Sequence, residues 1–354
     1  MPSRDLVVTA RTLERWLGEQ LAASTVEVTD LSVPRAGFSN ETVLGHARWW
    51  SGDGDGRIDF VLRIEPTVHQ LFVDPDALRQ AQVMSALAGH VPVPRIWLTE
   101  SDRAAFGAPF FLMERVVGRI PSDVPSWHKR GWTTDLEPDQ RRRLHDNALA
   151  ELVRLHSIDT SAESFDFLES TGAGTALQRY VASIHTFYDW CEPVRRYGSD
   201  VIDTALRFVV DEIPADDRRS VVWGDARVGN MVFADDVSVA AMLDWEGATL
   251  GPPEMDIAWW VVFDEFLCEA QGLSRLDGVH DRAATLARYE DTAGVALRDV
   301  GYFEVLAGLQ FALINSRLAD LLISSGASAE SVASEYVTRA TDITKRSLDR
   351  LAGR

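Results

Sequence analysis

The stretch Val221-Val-Trp-Gly-Asp-Ala-Arg-Val-Gly-Asn230, continued by Met231 to Asp236 and by Ala241-Met-Leu-Asp-Trp-Glu246, decides how the rest of this sequence is read. It begins as an apolar strand ending in Gly-Asp. Asn230 follows five residues after Asp225, and Asp244 stands at a second strand end fourteen residues after Asn230. Asp235-Asp236 supply turn chemistry between the strand candidates Met231 to Ala234 and Val237 to Leu243, which predicts a hairpin with Asp225, Asn230 and Asp244 at its mouth. One Asp or Asn alone reads as a turn or cap residue. Three oxygen-bearing side chains at these spacings suit Mg²⁺, which takes hard oxygen ligands and leaves positions for water or phosphate. Phosphoryl transfer calls for these parts: a carboxylate to orient the attacking hydroxyl and metal ions to neutralise charge on the transferred group.

Outward from this block, the chain divides by period. Leu13, Trp16, Leu17 and Leu21 recur at helical spacing, and Val26 to Val33, Thr42 to Trp50 and Ile58 to Ile64 then read as strands of an antiparallel meander. Their separators are Arg35-Ala-Gly-Phe-Ser-Asn40 and Ser51-Gly-Asp-Gly-Asp-Gly56. A helix is predicted over Pro75 to Ala88, and strands over Ile96 to Thr99 and Phe110 to Val116. Gly118 to Pro138 is rich in Pro, Gly, Ser and Asp and reads as a connector. Helical periodicity dominates beyond it, in Arg141 to His156, Thr175 to Val210 and Arg282 to Leu351, interrupted by the strand island Ser220 to Leu243. The fold class is therefore α+β: a small antiparallel-sheet lobe (1–117), a connector (118–138) and a larger helical lobe with an embedded β-hairpin (139–354).

Composition narrows the function classes. With 354 residues, 46% apolar and 25% charged, the chain has material for a packed core. The 54 acidic against 35 basic residues give a formal charge of -19 and no Lys/Arg-rich face, which excludes sequence-independent nucleic-acid binding. That charge either attracts a cationic small molecule or serves solubility. The longest unbroken apolar stretch, Ile257 to Phe263, is far short of a membrane span, and Met1 to Leu21 carries charges where a signal peptide would be apolar. Cys191 and Cys268 read as buried structural thiols. A cytoplasmic protein with no nucleic-acid or membrane partner is expected, with its oligomeric state unknown.

On these residues the sequence resembles the aminoglycoside phosphotransferase family, which shares the protein-kinase-like fold, and within it the subgroup related to kinase-like domains that accompany acyl-CoA dehydrogenases. The family pattern is His-Gly-Asp, four residues, Asn, an Asp-Trp-Glu strand end, then Gly-x-Pro-x-x-Asp; this chain has Trp223-Gly-Asp225, Asn230, Asp244-Trp-Glu246 and Gly251-Pro-Pro-Glu-Met-Asp256. Gly37-Phe-Ser-Asn-Glu41 stands where the nucleotide-covering loop belongs, Phe60-Val-Leu-Arg-Ile64 where the third strand carries its phosphate-binding cation, and Phe111-Leu-Met-Glu-Arg115 at the hinge. The resemblance implies a bilobal fold with the nucleotide in the cleft between lobes. It also implies transfer of the γ-phosphate of ATP, with Mg²⁺, to a small-molecule hydroxyl. It makes Asp225 the catalytic base, Asn230 and Asp244 the metal ligands, and Gly37, Ser39, Asn40, Arg63 and the main chain around Glu114 and Val116 the nucleotide contacts. Asp256 becomes a structural brace.

Three positions depart from the family. Its strand Lys is Arg63, the Glu that pairs with that Lys is Gln80, and its motif His is Trp223, whose indole donates one N–H and accepts nothing. None removes the base or the metal ligands. Two readings stay open: a working small-molecule kinase, and a nucleotide-binding or metabolite-sensing protein with impaired catalysis. His156 reads as a hydrogen-bonded helix-end residue, and Trp259-Trp260-Val-Val-Phe263 as a packed helix from which one Trp reaches the acceptor.

Overall fold

The computed structural model describes residues 4–34, 41–52, 54–68, 70–161 and 165–353. Two compact units emerge: Met1–Ala88 with Val93–Val116, and Gly89–Pro92 with Val117–Arg354.

The first unit opens with α1 (Leu6–Gln20), whose first turn is capped by Asp5: its Oδ1 accepts the N–H groups of Val7 and Val8 at 2.9 and 3.2 Å. Leu13, Trp16 and Leu17 form its buried stripe. Strands β1 (Ala23–Ser32), β2 (Glu41–Ser51) and β3 (Gly56–Ile64) follow, then α2 (Ala77–Leu87), β4 (Ile96–Glu100) and β5 (Phe110–Glu114). Among the described residues these five strands make one antiparallel sheet in the order β1-β2-β3-β5-β4. The meander thus holds for the first three strands, while β5 inserts between β3 and β4. Phe110 to Met113 of β5 are buried at every position, as a central strand covered on both faces requires. In β3, Ile58, Phe60, Leu62 and Ile64 alternate inward and join Leu13, Leu17, Phe110 and Leu112 in one core, which leaves Arg63 on the opposite face.

The second unit contains α3 (Pro138–His156), α4 (Ala176–Cys191), α5 (Ser199–Asp211), four short strands, then α6 (Glu254–Leu267), α7 (Arg282–Ala293), α8 (Val300–Ser324) and α9 (Glu330–Ala352). Thr175 and Gln178 form a reciprocal capping box that fixes the start of α4. The strands are β6 (Ser220–Val222), β7 (Met231–Phe233), β8 (Val239–Met242) and β9 (Thr249–Gly251). Only β7 and β8 form the expected hairpin; β6 pairs instead with β9, a three-residue strand too short to show a period in sequence. Helix α8 is long and apolar enough to cross a bilayer by length and composition, and 61% of that apolar window is buried in the protein. Cys191 and Cys268 are buried, and burial pushes each thiol up to about 12.

Candidate active site

The loop between β6 and β7 carries Trp223, Gly224, Asp225 and Asn230, and the residues just after β8 carry Asp244. The backbone forces these two loops together. Gly224 has φ +85°, and a Cβ added there would lie 2.2 Å from the Gly247 carbonyl oxygen, so no other residue fits the motif's second position. The Leu243 N–H donates to the Asn230 carbonyl at 2.8 Å, which closes the hairpin mouth and sets Asn230 beside the segment leading to Asp244. Asp244 itself has φ +60°, a left-handed conformation that Asp adopts more readily than most residues other than Gly.

Asp256, fully buried on the first turn of α6, braces this loop. Its Oδ2 accepts the Trp223 N–H at 2.6 Å and its Oδ1 the Gly224 N–H at 2.8 Å. His156, at the end of α3, places Nε2 3.0 Å from the same Oδ2 and Nδ1 2.7 Å from the Tyr289 hydroxyl. His156 therefore holds the brace and does not reach Asp225. Trp223 packs on Trp245 with ring centroids 5.4 Å apart, and its indole N–H donates to the Leu243 carbonyl at 2.9 Å.

The carboxylate of Asp225 is gripped by three side chains. Asn230 Nδ2 donates to Oδ2 at 2.6 Å, Trp259 Nε1 to Oδ1 at 2.8 Å, and Arg227 Nε to both oxygens at 3.0 and 3.1 Å. Arg227 also pairs with Asp123 of the connector and lies over the Phe263 ring, 4.6 Å from its centroid. Burial alone would depress the guanidinium, and the charges of Asp225 and Asp123 more than reverse this, holding it above the ordinary arginine value. Burial pushes Asp123 up against the opposing pull of Arg227. Sequence reading passed over Arg227 and Asp123. Arg227 had a signal, a cation two residues after a candidate base, whereas Asp123 reaches it across 104 residues of chain. The segment that carries Asp123 lies within the second unit and is anchored there by paired main-chain bonds between Arg119 and Phe233 at 2.8 and 2.9 Å.

The first unit carries Arg63, Gln80, Glu114 and Val116. Arg63 on β3 donates to Gln80 Oε1 on α2 at 3.4 Å, so strand cation and helix partner meet even though the partner is a neutral amide. The N–H groups of Glu114 and Arg115 are spent on the carbonyls of Arg95 and Asp59, at 2.8 and 3.1 Å. Any N–H given to a base from this stretch thus falls to Val116. Gly37, Ser39 and Asn40 lie outside the described residues.

Among the described residues no group of three or more His, Cys, Asp and Glu side chains is placed to hold a metal. The Asn230 and Asp244 pair is an all-oxygen donor set at one hairpin mouth, and Mg²⁺ characteristically takes one or two protein ligands and fills its octahedron with water and phosphate oxygens. That donor set fits the ion.

Beside Gly224 and Trp259 lies a small cavity of about 10 Å³, room for about one water, walled by Tyr180, Met255, Trp259, Phe303, Leu306 and Gln310. The Tyr180 hydroxyl donates to Gln310 Oε1 at 2.5 Å. Of the six aromatic residues Tyr180, Phe187, Tyr188, Trp190, Trp259 and Trp260, the first and fifth line this pocket.

Comparison with known proteins bears on this arrangement. The acyl-CoA dehydrogenase family member 11 of Homo sapiens is 26% identical over 260 residues, 72% of this chain and 31% of that protein. The chain spans less than a third of the length of the curated relatives it matches. A solved structure from Ralstonia eutropha superposes with a TM-score of 0.66 at 22% identity over 96% of this chain and 97% of the other. A thermostable mutant of an aminoglycoside phosphotransferase, solved in ternary complex with ADP and hygromycin B, superposes with a TM-score of 0.55 at 16% identity over 95% of this chain and 98% of the other. The fold is thus kinase-like. A model of the phosphotransferase enzyme family matches residues 30–303, which take in β3, the Asp225 loop, the Asp244 hairpin and the Asp256 brace, and the chain belongs to that family.

Proposed function

We propose that this protein transfers the γ-phosphate of ATP, with Mg²⁺, to a hydroxyl group of a small molecule. The observation that carries the reading is the Asp225 carboxylate held by Asn230, Trp259 and Arg227 on a loop whose main chain is pinned by Asp256. The acceptor oxygen attacks the γ-phosphorus, the bond to the β–γ bridging oxygen breaks, ADP leaves, and the acceptor proton passes to Asp225. Asn230 and Asp244 would hold Mg²⁺, which supplies charge neutralisation at the phosphates. Arg63, steered by Gln80, supplies the phosphate contact of the first unit. Nucleotide use is supported by the ADP bound in a structural neighbour.

The relatedness to acyl-CoA dehydrogenase family members supports an acceptor other than a polycationic aminoglycoside. Kanamycin-like compounds turned over with kcat/KM above roughly 10⁴ M⁻¹s⁻¹ would contradict this. The two-oxygen grip of Arg227 on Asp225 favours a second reading, a nucleotide-binding protein with impaired turnover, since an ion-paired carboxylate is a poorer proton acceptor. A phosphotransfer screen over aminoglycosides, macrolides, choline-like alcohols, sugars and hydroxyacyl-CoA compounds separates them. ADP formation that depends on one acceptor supports the kinase; Mg-ATP binding without turnover supports the alternative.

A further inference from the structure

We infer that Asp123 is a positioning residue of the phosphotransfer site: by holding the far end of the Arg227 guanidinium it keeps that cation side-on to Asp225 and leaves the candidate base oriented by Asn230 and Trp259. The inference rests on the phosphotransferase reading above. Its first ground is the geometry of the grip. Arg227 meets Asp225 through Nε, a single N–H that spans both carboxylate oxygens at 3.0 and 3.1 Å, while its Nη1 is spent on Asp123. Arginine binds a carboxylate most strongly through two parallel N–H groups, one to each oxygen. With Nη1 held by Asp123, the two terminal nitrogens cannot form such a fork on Asp225, and the contact stays in its weaker, shared form. A guanidinium released from Asp123 can turn onto both oxygens and take them from the Asn230 amide at 2.6 Å and the Trp259 indole at 2.8 Å.

The second ground is that Asp123 is a fixed point. Main-chain bonds tie Arg119 to Phe233 on one side of it, the Ile120 carbonyl accepts the Trp132 indole N–H at 3.2 Å, and on the other side His128 places Nε2 3.0 Å from Asp264 Oδ1 on α6. The third ground is how the pair is seated. A Cβ added at Gly229 would lie 2.5 Å from both Arg227 Nη1 and Asp123 Oδ1, so the ion pair lies across a glycine that makes room for it. Among the described residues the buried Oδ1 of Asp123 has no hydrogen-bond partner. A pair kept for stability would satisfy both oxygens; this one gives up that gain and keeps the placement of Arg227.

The test reads the Trp259 indole N–H resonance in ¹⁵N-tryptophan-labelled protein, assigned by its loss in Trp259→Phe, because that N–H shares Asp225 Oδ1 with Arg227. In Asp123→Ala the resonance should move upfield as Arg227 draws Oδ1 away. Asp123→Asn, which keeps the shape and an acceptor but not the charge, should move it in the same direction by less, and reports the effect should the Ala variant fail to fold. In an Arg227→Gln background neither change at 123 should move it further. With Mg-ATP and the acceptor classes of the screen, ADP formation should fall about 10- to 100-fold in Asp123→Ala, the range of one hydrogen bond to a charged group, and should be partly recovered by adding Arg227→Gln. An unmoved indole in folded Asp123 variants overturns the inference. So does a shift of equal size with and without Arg227, which would make Asp123 a structural residue acting by another route, and so does a loss of turnover that Arg227→Gln does not relieve. Absence of ADP formation by the wild type with every acceptor removes the phosphotransferase reading instead, and the resonance still decides whether Asp123 acts through Arg227.

Discussion

Replacing Asp256 tests whether the site is held together by the brace beneath it. In the native protein its carboxylate is fully buried and accepts from the Trp223 N–H, the Gly224 N–H and the His156 ring. Asp256→Asn has nearly the same shape but one acceptor oxygen. If that oxygen takes the Oδ2 position, the Trp223 and His156 contacts survive, and the new NH₂ group faces the Gly224 N–H. The Gly224 N–H and the new NH₂ group are then both buried without an acceptor, at a cost of about 1–3 kcal/mol each. Asp256→Ala strands two main-chain donors and the His156 ring nitrogen together, and the same accounting over three donors gives about 3–9 kcal/mol, a large fraction of a typical domain's stability. Urea denaturation followed by tryptophan fluorescence measures both. The expected order is wild type above Asn above Ala, with turnover falling in the same order while Arg63→Ala leaves the urea midpoint nearly unchanged. Equal stabilities for the Asn and Ala variants would refute the hydrogen-bond accounting, and a loss below about 1 kcal/mol for Ala would refute the brace itself.

Asp225→Asn should lower turnover by about 10²- to 10⁴-fold while leaving Mg-ATP affinity nearly intact; near-normal turnover would remove Asp225 from the mechanism. Asp244→Ala should impair Mg-dependent nucleotide binding in calorimetry, and Asn230→Ala should do so more mildly, whereas unchanged binding in the Asp244 variant would sink the metal assignment. Arg63→Ala should weaken nucleotide binding or turnover more than Gln80→Ala, since Gln80 acts only through Arg63; the reverse order in an ATP titration would contradict the phosphate role. His145, buried between Trp127, Trp260 and His280 with neither ring nitrogen hydrogen-bonded among the described residues, has its pKa lowered to about 4 mainly by burial, with Asp264 opposing. The unfolded chain then binds the extra proton first, so stability should fall as pH drops from about 6.5 to 4, by up to about 3 kcal/mol. His145→Phe should flatten that slope between pH 4 and 6.5, and an unchanged slope would show that other groups cause it.

How much of this was legible depends on where the information lay. The Asp225, Asn230 and Asp244 cluster was legible because its residues sit at the ends of apolar runs within one 20-residue window, and turn chemistry is local. The sheet of the first unit was legible for the same reason in β2 and β3, where buried residues alternate with partly buried or exposed ones, and β1 was legible from its β-branched residues and the turn chemistry after it. The insertion of β5 between β3 and β4 was not, because strand order is a matter of long-range pairing. Nor was β9, whose three residues are defined only by β6 opposite them. The donors to Asp225 divide likewise. Asn230 is near in sequence, Trp259 is 34 residues away, and the partner that shares Arg227 is 104 residues away. Helical spacing placed Trp259 in an apolar run, and only the folded chain turns its N–H onto the carboxylate.

The replacement of the motif's usual His by Trp223 shows how a departure from a family pattern can be absorbed without disturbing the reacting groups. The main-chain N–H of Trp223 still reaches Asp256, so the brace does not depend on the side chain at this position. The side chain instead ties the loop of the candidate base to the loop of the candidate metal ligand, because its indole donates to the carbonyl of Leu243, the residue before Asp244. A histidine of either tautomer offers a donor in a smaller ring; the indole adds area, and Trp245 covers it. What the exchange removes is an acceptor, and three donors of this loop are served without it: the Trp223 and Gly224 N–H groups by Asp256, and the Asn230 amide by Asp225. The departure at Trp223 therefore bears on the rigidity between two loops, and the departure at Gln80 on the charge beside Arg63. If catalysis is impaired in this chain, the physical reason is to be sought in the Arg227 grip on Asp225, where a full positive charge competes for the carboxylate that must take the acceptor's proton.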